Sequence, residues 1–401
     1  MSEEIAYPAL YLKRGEDARL RAGHLWVFSN EVDVKRSPLT AFQPGDPCVI
    51  ADTHAKPLGI GYVNPASLIA ARLVNRGIGH AFDASLIVHK LKVALGLRER
   101  LYAEPYYRLV FGETDGLPGL VVDRYGDVLV GQIATAGMER MKDDVTAALL
   151  KVVKPAAIVW KNDASVRAME GMPNYADIGY GELSAPVIAR EGGLEFRIDP
   201  IGGQKTGWFY DQRSNRDQLA TYVGGKRVLD VFSYLGAWGL RAAKAGATEV
   251  ICVDASASAV EATEDNAARN GLADRVHAIK ADAFEHLKAL RDAREHFDVV
   301  ILDPPAFVKR KKDFAEGRLA YRRINEMAMQ ILAKDGVLIT ASCSYHMPRA
   351  ALLDAVQQGA RHLDRNVQVL SQLQQAPDHP VHPAIPETDY LKGFICRVLP
   401  A

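Results

Sequence analysis

The chain has 401 residues, 48% of them hydrophobic and 24% charged, and its 49 basic and 49 acidic side chains give a formal net charge of zero. At roughly 100–200 residues per domain, this length predicts two or three domains with ordinary globular cores. The neutral balance excludes a polycationic nucleic-acid binder, so any RNA contact has to come from a local cluster. No run of about 18 apolar residues occurs, which argues against a membrane-spanning helix. The four cysteines, Cys48, Cys252, Cys343 and Cys396, form no C-x-x-C or other metal-like spacing. A structural zinc site or a disulfide framework is therefore not expected, and reduced thiols suit the cytoplasm. The acidic opening "MSEEIAYPAL" has no apolar h-region and does not read as a signal peptide.

Residues 1–78 hold short apolar runs broken by Gly and Pro: "LWVFSNEV", "PGDPCVIAD", "PLGIGYVNP" and "SLIAARLV". This texture predicts a small all-β module, with Trp26 and Phe28 as core strand residues. Residues 79–200 mix types. "DASLIVHKLKVALGLRERL" and "ERMKDDVTAALLKVV" have helical periodicity, "AAIVWKND" reads as a strand, and "LPGLVVDRYGDVLVGQI" reads as a hairpin turning at Tyr125-Gly126-Asp127. The expectation is an α+β domain.

From 201 to 401 strands and helices alternate. "RVLDVF", "EVICVD", "VHAIKAD", "FDVVILD" and "GVLITAS" read as strands. Between them "WGLRAAKAG", "ASAVEATEDNAARNG", "AFEHLKALRDA" and "AYRRINEMAMQILAKDG" read as helices. Such alternation predicts a parallel, doubly wound α/β sheet, whose ligands bind outside the carboxyl ends of the strands.

At the first of those ends, "DVFSYLGAWGLRAA" places Gly236 and Gly239 before a helix, with Ser233 or Tyr234 near where a dinucleotide fingerprint has its first glycine. Glycine there allows close backbone approach, and a helix N-terminus offers N–H groups. The next two strands end at Asp254 and Asp282. The first carboxylate can accept from both hydroxyls of a ribose, the second from an adenine amine. Each could instead cap the helix that follows. The two acids with the glycine turn favour an adenosine. The fourth strand ends in "LDPPAF", where two prolines stop the strand and Asp303 faces the reaction space.

"GGQKTGWFYDQRSNR", "DVFSYLGAWG", "ILDPPAF", "SCSYHM" and "HPVHPAIPETDYLKGF" together resemble the bacterial 23S ribosomal RNA cytosine-C5 methyltransferase family, within the class I S-adenosylmethionine-dependent methyltransferases. "GHLWVFSNEV" resembles that family's N-terminal PUA domain, a small β-barrel, and "RLVFGETDGLPGLVVDRYGD" its central domain. The resemblance spans essentially the whole chain. It implies a PUA-like barrel over 1–78, a central α+β domain over 79–200, and a Rossmann-like methyltransferase domain with a mostly parallel seven-stranded sheet over 201–401. It implies S-adenosyl-L-methionine as cofactor, no metal, large-subunit ribosomal RNA as partner, no membrane, and is compatible with a homodimer. Phe232, Ser233, Tyr234 and Gly236 would line the cofactor, with Asp254 on its ribose and Asp282 on its adenine. Lys205, Thr206, Gly207, Asp211 and Arg213 would help close the pocket, and Asp303 would touch the cofactor as well as face the target base.

C5 of cytosine is a poor nucleophile until a thiolate adds to C6, and that covalent route needs a positioned cysteine. Cys343, where the strand "GVLITAS" ends, is the candidate, with Asp303 stabilising charge on the ring. Cys252 and Cys396 read as core thiols, and His346 as a loop histidine. Many RNA enzymes of this chemistry carry a second cysteine where this chain has Asp-Pro-Pro, so the group that takes the C5 proton is left as water or Asp303. Lys309, Arg310, Lys311, Lys312, Arg318, Arg322 and Arg323 cluster just past the diproline. They suit phosphate contacts beside a flipped base, or a solvated charged loop. Two other readings stay open. One is a methyltransferase acting on an exocyclic amine or ring nitrogen, which "DPPAF" would also serve. The other is a non-catalytic RNA-binding assembly factor.

Overall fold

The computed structural model describes residues 7–401. The acidic residues 1–6, read above as lacking a leader signature, lie outside the described residues. The chain forms two compact units, the first running to Val187 and including Ile198–Trp208 and Asp378–Thr388, the second comprising Ile188–Arg197, Phe209–Pro377 and Asp389–Ala401.

The first unit carries two five-stranded sheets. One holds β1 (Ala9–Tyr11), β2 (Trp26–Phe28), β3 (Asp46–Ala51), β4 (Pro57–Val63) and β5 (Ile69–Asn75) in the order β1-β3-β4-β5-β2. Its core is built from Leu10, Val27, Ile50, Val63 and Leu73. "LWVFSNEV" proves to be a three-residue strand. The Glu31 carboxylate accepts the Phe28 N–H at 2.7 Å and an Arg19 N–H at the same distance, and so bends the chain into a 3-10 turn over Ser29–Glu31. Only Val27 of this strand faces the core. Trp26 is half-buried, with its indole N–H on Glu113, and Phe28 lies under the Arg19 guanidinium. They are not the core residues expected from the sequence.

The other sheet holds β6 (Tyr106–Phe111), β7 (Leu120–Tyr125), β8 (Val128–Ile133), β9 (Ala157–Asn162) and β10 (Tyr175–Gly181), ordered β10-β9-β8-β7-β6. Gly126, at φ +63°, makes the turn between β7 and β8 as anticipated. The helix Ala84–Leu101 starts on Asp83, whose carboxylate accepts the Leu86 N–H. The single helix expected over "ERMKDDVTAALLKVV" is two, Ala136–Arg140 and Lys142–Val152. Met141, at φ −93° and ψ 8°, interrupts them.

The second unit opens within a hairpin, β11 (Val187–Glu191) and β12 (Leu194–Ile198), of which it holds Ile188–Arg197, and contains the seven-stranded sheet β13 (Arg227–Val231), β14 (Glu249–Asp254), β15 (Val276–Lys280), β16 (Phe297–Leu302), β17 (Leu332–Ser342), β18 (Arg365–Gln374) and β19 (Lys392–Pro400). Their order is β15-β14-β13-β16-β17-β19-β18. All neighbours are parallel except β19, which runs antiparallel to β17 and β18. β13 and β16 lie side by side although β14 and β15 separate them in sequence. The chain therefore reverses direction of winding there and leaves a crevice at their carboxyl ends. Apolar strands such as "FDVVIL" are buried on both faces, as parallel strands covered by helices require. β17 begins earlier than its apolar run: "LAKDG", expected to finish a helix, bulges against Phe297 before regular pairing resumes at Val337.

Candidate active site

The turn after β13 is strained. Phe232 and Tyr234 adopt φ of +68° and +49°, and Gly236 follows at +78° before the helix Ala237–Lys244. Two bulky residues in the left-handed region persist only where their surroundings hold them, and such strain concentrates at functional sites. Here the Phe232 and Ser233 N–H groups both donate to the Val253 carbonyl, and the Tyr234 N–H donates to Asp254 at 2.9 Å. A side chain at Gly236 would collide with Leu240 and Thr263, so the turn admits only glycine at this point.

Asp254 ends β14. It does not cap the next helix: Ser256 does, through its Oγ, while Asp254 accepts the N–H groups of Tyr234 and Ser256, one on each oxygen. Asp282 does cap the helix Ala283–Asp292, accepting from Phe284 and Glu285 on a single oxygen. Both carboxylates keep acceptor capacity, since each oxygen has two lone pairs. The Phe307 ring, just past β16, contacts those of Phe232, Phe284 and Tyr321, with centroids 6.4, 6.3 and 4.8 Å away. Flexed glycine turn, acceptor carboxylates on adjacent strand ends and aromatic faces are a donor set that fits an adenosine-containing cofactor.

Asp303 follows β16. Gln212 Nε2 donates to one of its oxygens at 2.9 Å and the Trp238 indole N–H to the other at 3.0 Å. Burial pushes its carboxyl above the ordinary range, with the Trp238 hydrogen bond acting the other way and the nearby Asp211 charge adding to the rise. Asp211 is buried and accepts from the Tyr390 hydroxyl at 2.5 Å. Arg213 lies with its guanidinium 4.9 Å from the Tyr210 ring. Arg216 makes a buried fork with Glu191 at 2.6 and 2.7 Å, and burial, which would raise the Glu191 carboxyl, is outweighed by Arg216, Arg213 and Arg241, which hold it low. Lys205, Thr206 and Gly207 belong to the first unit, where the Thr206 hydroxyl donates to Asp123. The structure thus brings together Asp211, Arg213, Phe232, Ser233, Tyr234, Gly236, Asp254, Asp282 and Asp303 within the second unit. Gln212, Trp238 and Tyr390 were not singled out in the sequence, because no spacing rule links them to Asp303 and Asp211.

Cys343 comes immediately after Ser342, the last residue of β17, and is half-buried, whereas Cys48, Cys252 and Cys396 are buried. The turn that carries it is cross-tied. Ser342 Oγ accepts the Ser344 N–H and donates to the Tyr321 hydroxyl, which in turn bonds Ser344 Oγ at 3.0 Å. Tyr345 and His346 follow in edge contact with each other.

Of the basic run, Lys309, Arg310, Lys311 and Lys312 are exposed. Arg310 pairs with Asp313 at 3.0 Å, Arg318 with Asp354 at 2.9 Å, Arg322 reaches Glu326 at 3.9 Å, and Arg323 lies 5.4 Å from the Phe284 ring. Among the described residues, Lys309, Lys311 and Lys312 have no carboxylate partner at ion-pair distance. No group of His, Cys, Asp and Glu among the described residues could hold a metal ion, and no helix among them is long and apolar enough to cross a membrane.

A seven-stranded sheet of this order with a glycine turn after its first strand and carboxylates at the next two strand ends defines a Rossmann-like methyltransferase domain, preceded by a PUA-like module. The profile described as S-adenosylmethionine-dependent methyltransferase matches residues 180–392, and the one described as PUA-like domain matches residues 10–76. A protein of Shewanella denitrificans named Ribosomal RNA large subunit methyltransferase I is 38% identical over 392 residues, covering 96% of this chain and 98% of its own. The chain belongs to the ribosomal RNA large subunit methyltransferase I family of S-adenosylmethionine-dependent methyltransferases. Its fold is shared by a Streptococcus mutans protein classed as a SAM-dependent methyltransferase (TM-score 0.82, 20% identity, 97% of this chain and 100% of that one). It is shared too by a methyltransferase crystallised with SAH (TM-score 0.83, 21% identity, 97% and 100%).

Proposed function

We propose that the protein methylates C5 of a cytosine in large-subunit ribosomal RNA through a covalent bond between Cys343 and C6 of the base. The single observation that carries this reading is Cys343 itself, half-buried at the carboxyl end of β17, two strands from the glycine turn and next to the strand that ends at Asp303. S-adenosyl-L-methionine, when bound, supplies an electrophilic methyl group on sulfur. Asp254 would hold its ribose, Asp282 its adenine amine, and the Phe232–Gly236 turn its methionine end. Asp211 and Arg213 would help close that pocket.

The protein's own residues do the rest. The Cys343 thiolate adds to C6, so an S–C6 bond forms and the 5,6 double bond becomes an electron-rich enamine that C5 can use as a nucleophile. Asp303, fixed by Gln212 and Trp238, is poised to accept from the exocyclic amine, or from ring N3 once it carries a proton, as charge redistributes. Once C5 carries the methyl group, Asp303 or water takes the C5 proton, the S–C6 bond breaks, and the double bond and the thiolate are restored. Exposed Lys309, Lys311 and Lys312, with Arg310, Arg322 and Arg323 beside them, would hold phosphates while the base is out of its stack.

The test is nucleoside mass spectrometry of unmodified ribosomal RNA, free and in subunit particles, after incubation with the protein and isotopically labelled S-adenosyl-L-methionine. Label in 5-methylcytidine supports the reading. Label in a methylated guanosine or adenosine overturns it in favour of amine or ring-nitrogen chemistry, and tight RNA binding with no label in any substrate overturns it in favour of an assembly factor.

A further inference from the structure

The residue that reaches the turn carrying the thiol from the neighbouring strand is Lys392. It begins β19 and is the cross-strand partner of Ser342. Only 5% of it is exposed. Its ammonium donates to the Ser344 carbonyl at 2.7 Å, and no carboxylate among the described residues lies within ion-pair distance of it. Burying an ammonium without a paired carboxylate is costly, and a chain does not usually retain one for packing, because methionine fills the same space without the charge. Such groups concentrate where a charge is used.

The place of the ammonium is specific. Ser342 and Ser344 flank Cys343, and their hydroxyls are already tied to each other and to Tyr321. The Val308 N–H donates to Ser344 Oγ from the diproline side, and the Lys392 bond fixes the Ser344 carbonyl. The thiol therefore sits on a turn clamped from three elements, with a cation held in one of the clamps. The other charged groups around this cation are Asp389, which favours its protonation, and Arg349, which opposes it while donating to the Leu373 and Gly393 carbonyls. Burial brings the Lys392 amine down to about 8, and a thiolate at Cys343 acts against that fall. The Tyr321 hydroxyl is pushed the other way, first by burial and further by a charge on Cys343, so it stays a neutral hydrogen-bonding group.

We propose that Lys392 is a positioning residue for the nucleophile: clamped on the Ser344 carbonyl, its buried ammonium fixes the Cys343 turn and stabilises the thiolate. The inference rests on the proposed role of Cys343. The positive charge that Lys392 holds on this turn lowers the energy of a thiolate at Cys343. The ammonium then keeps its proton while sulfur adds to C6, and the thiolate that leaves C6 returns to the same cation.

The test reads the thiol without RNA. The pH dependence of Cys343 alkylation by iodoacetamide is followed by peptide mass spectrometry in the full chain, the three other cysteines being buried. Lys392→Met should raise the midpoint of alkylation by about one pH unit or more, as expected for loss of a close opposite charge. Lys392→Arg should restore most of that shift, since it keeps the charge at slightly altered geometry. Lys392→Gln, polar and neutral, should behave like Lys392→Met and guards against a variant that fails to fold. If neutral variants lower the alkylation rate at every pH while the midpoint stays where it was, the role is structural and the proposal is overturned. An unchanged profile overturns it equally. Methyl transfer that survives Cys343→Ala would instead sink the thiol mechanism, whatever the alkylation profile, so the two failures are distinguishable.

Discussion

Cys252 and Cys343 lie in the same sheet and differ in almost every physical respect. Cys252 sits in mid-strand on β14, fully buried, its sulfur 3.9 Å from the Asp230 carboxylate and beneath Gly239, where even a Cβ would collide with the thiol. Burial first, and Asp230 second, push its thiol well above the ordinary value. Cys343 lies just past the carboxyl end of β17, half-buried, with a buried ammonium instead of a carboxylate across the neighbouring strand. The side chain is the same. What differs is whether the strand leaves it inside the sheet, facing an acid, or at its carboxyl end, on a turn that a cation ties down. A thiol in the first setting fills space, and one in the second can ionise.

The sharpest way to break this comparison is to delete each sulfur in turn. Cys343→Ala should lower methyl transfer by roughly three orders of magnitude or more, with cofactor affinity retained. Cys252→Ala should leave turnover unchanged and cost stability instead, on the order of 1 kcal/mol for a small cavity. Single-turnover kinetics and chemical denaturation measure the two effects, and equal turnover losses would abolish the contrast. Next in size is Asp303→Asn, which keeps one acceptor for Trp238 or Gln212 but removes the charge. A drop of roughly 100-fold in kcat is expected. Because burial holds the Asp303 carboxyl above its usual range, activity that needs it ionised should fall on acidification at a higher pH than for an exposed aspartate, and Asp303→Asn should lose that limb.

Smaller effects test the periphery. Replacing Lys309, Lys311 and Lys312 together by alanine should weaken RNA binding by roughly ten-fold near physiological salt. It should also reduce the slope of log affinity against log salt by about 2, some 0.7 for each phosphate contact to single-stranded RNA. Thermal stability should not move, since these side chains are exposed. A salt slope equal to that of the unaltered protein would return the run to a solvated face.

Last comes the interior acid. Burial pushes the Asp230 carboxyl up to about 7, helped by the Asp303 and Asp254 charges and opposed by the Gly239 N–H. Unfolded, the same carboxyl ionises near pH 4. The folded chain therefore holds a proton that the unfolded chain has lost between those values. The stability this group contributes is present below about pH 4 and is lost as pH rises through 7. Asp230→Asn, which stays neutral, should flatten the stability profile in that window, by on the order of 1 kcal/mol per pH unit. Denaturant titration of the cofactor-free protein at pH 5 and pH 7.5 measures it.

The amino-acid pattern was enough for the class of fold and for the strand-end residues. Continuous apolar runs alternating with helical periodicity can only pack as a parallel sheet covered by helices, and in that architecture Asp254, Asp303 and Cys343 must emerge at the carboxyl edge. The fit was looser where a local hydrogen bond outweighed periodicity. Glu31 ends the strand after Phe28, Met141 divides a helix, and Ser256 takes the cap that Asp254 was positioned to take. What only the tertiary structure decided is which distant groups surround each site residue. Gln212 and Trp238 reach Asp303 from outside its own strand, and Lys392 reaches the Ser344 carbonyl next to the thiol only because β19 inserts antiparallel between β17 and β18. Neighbours across a sheet are set by strand order and register, and these depend on the whole chain finding one burial arrangement. No local spacing in the sequence records them.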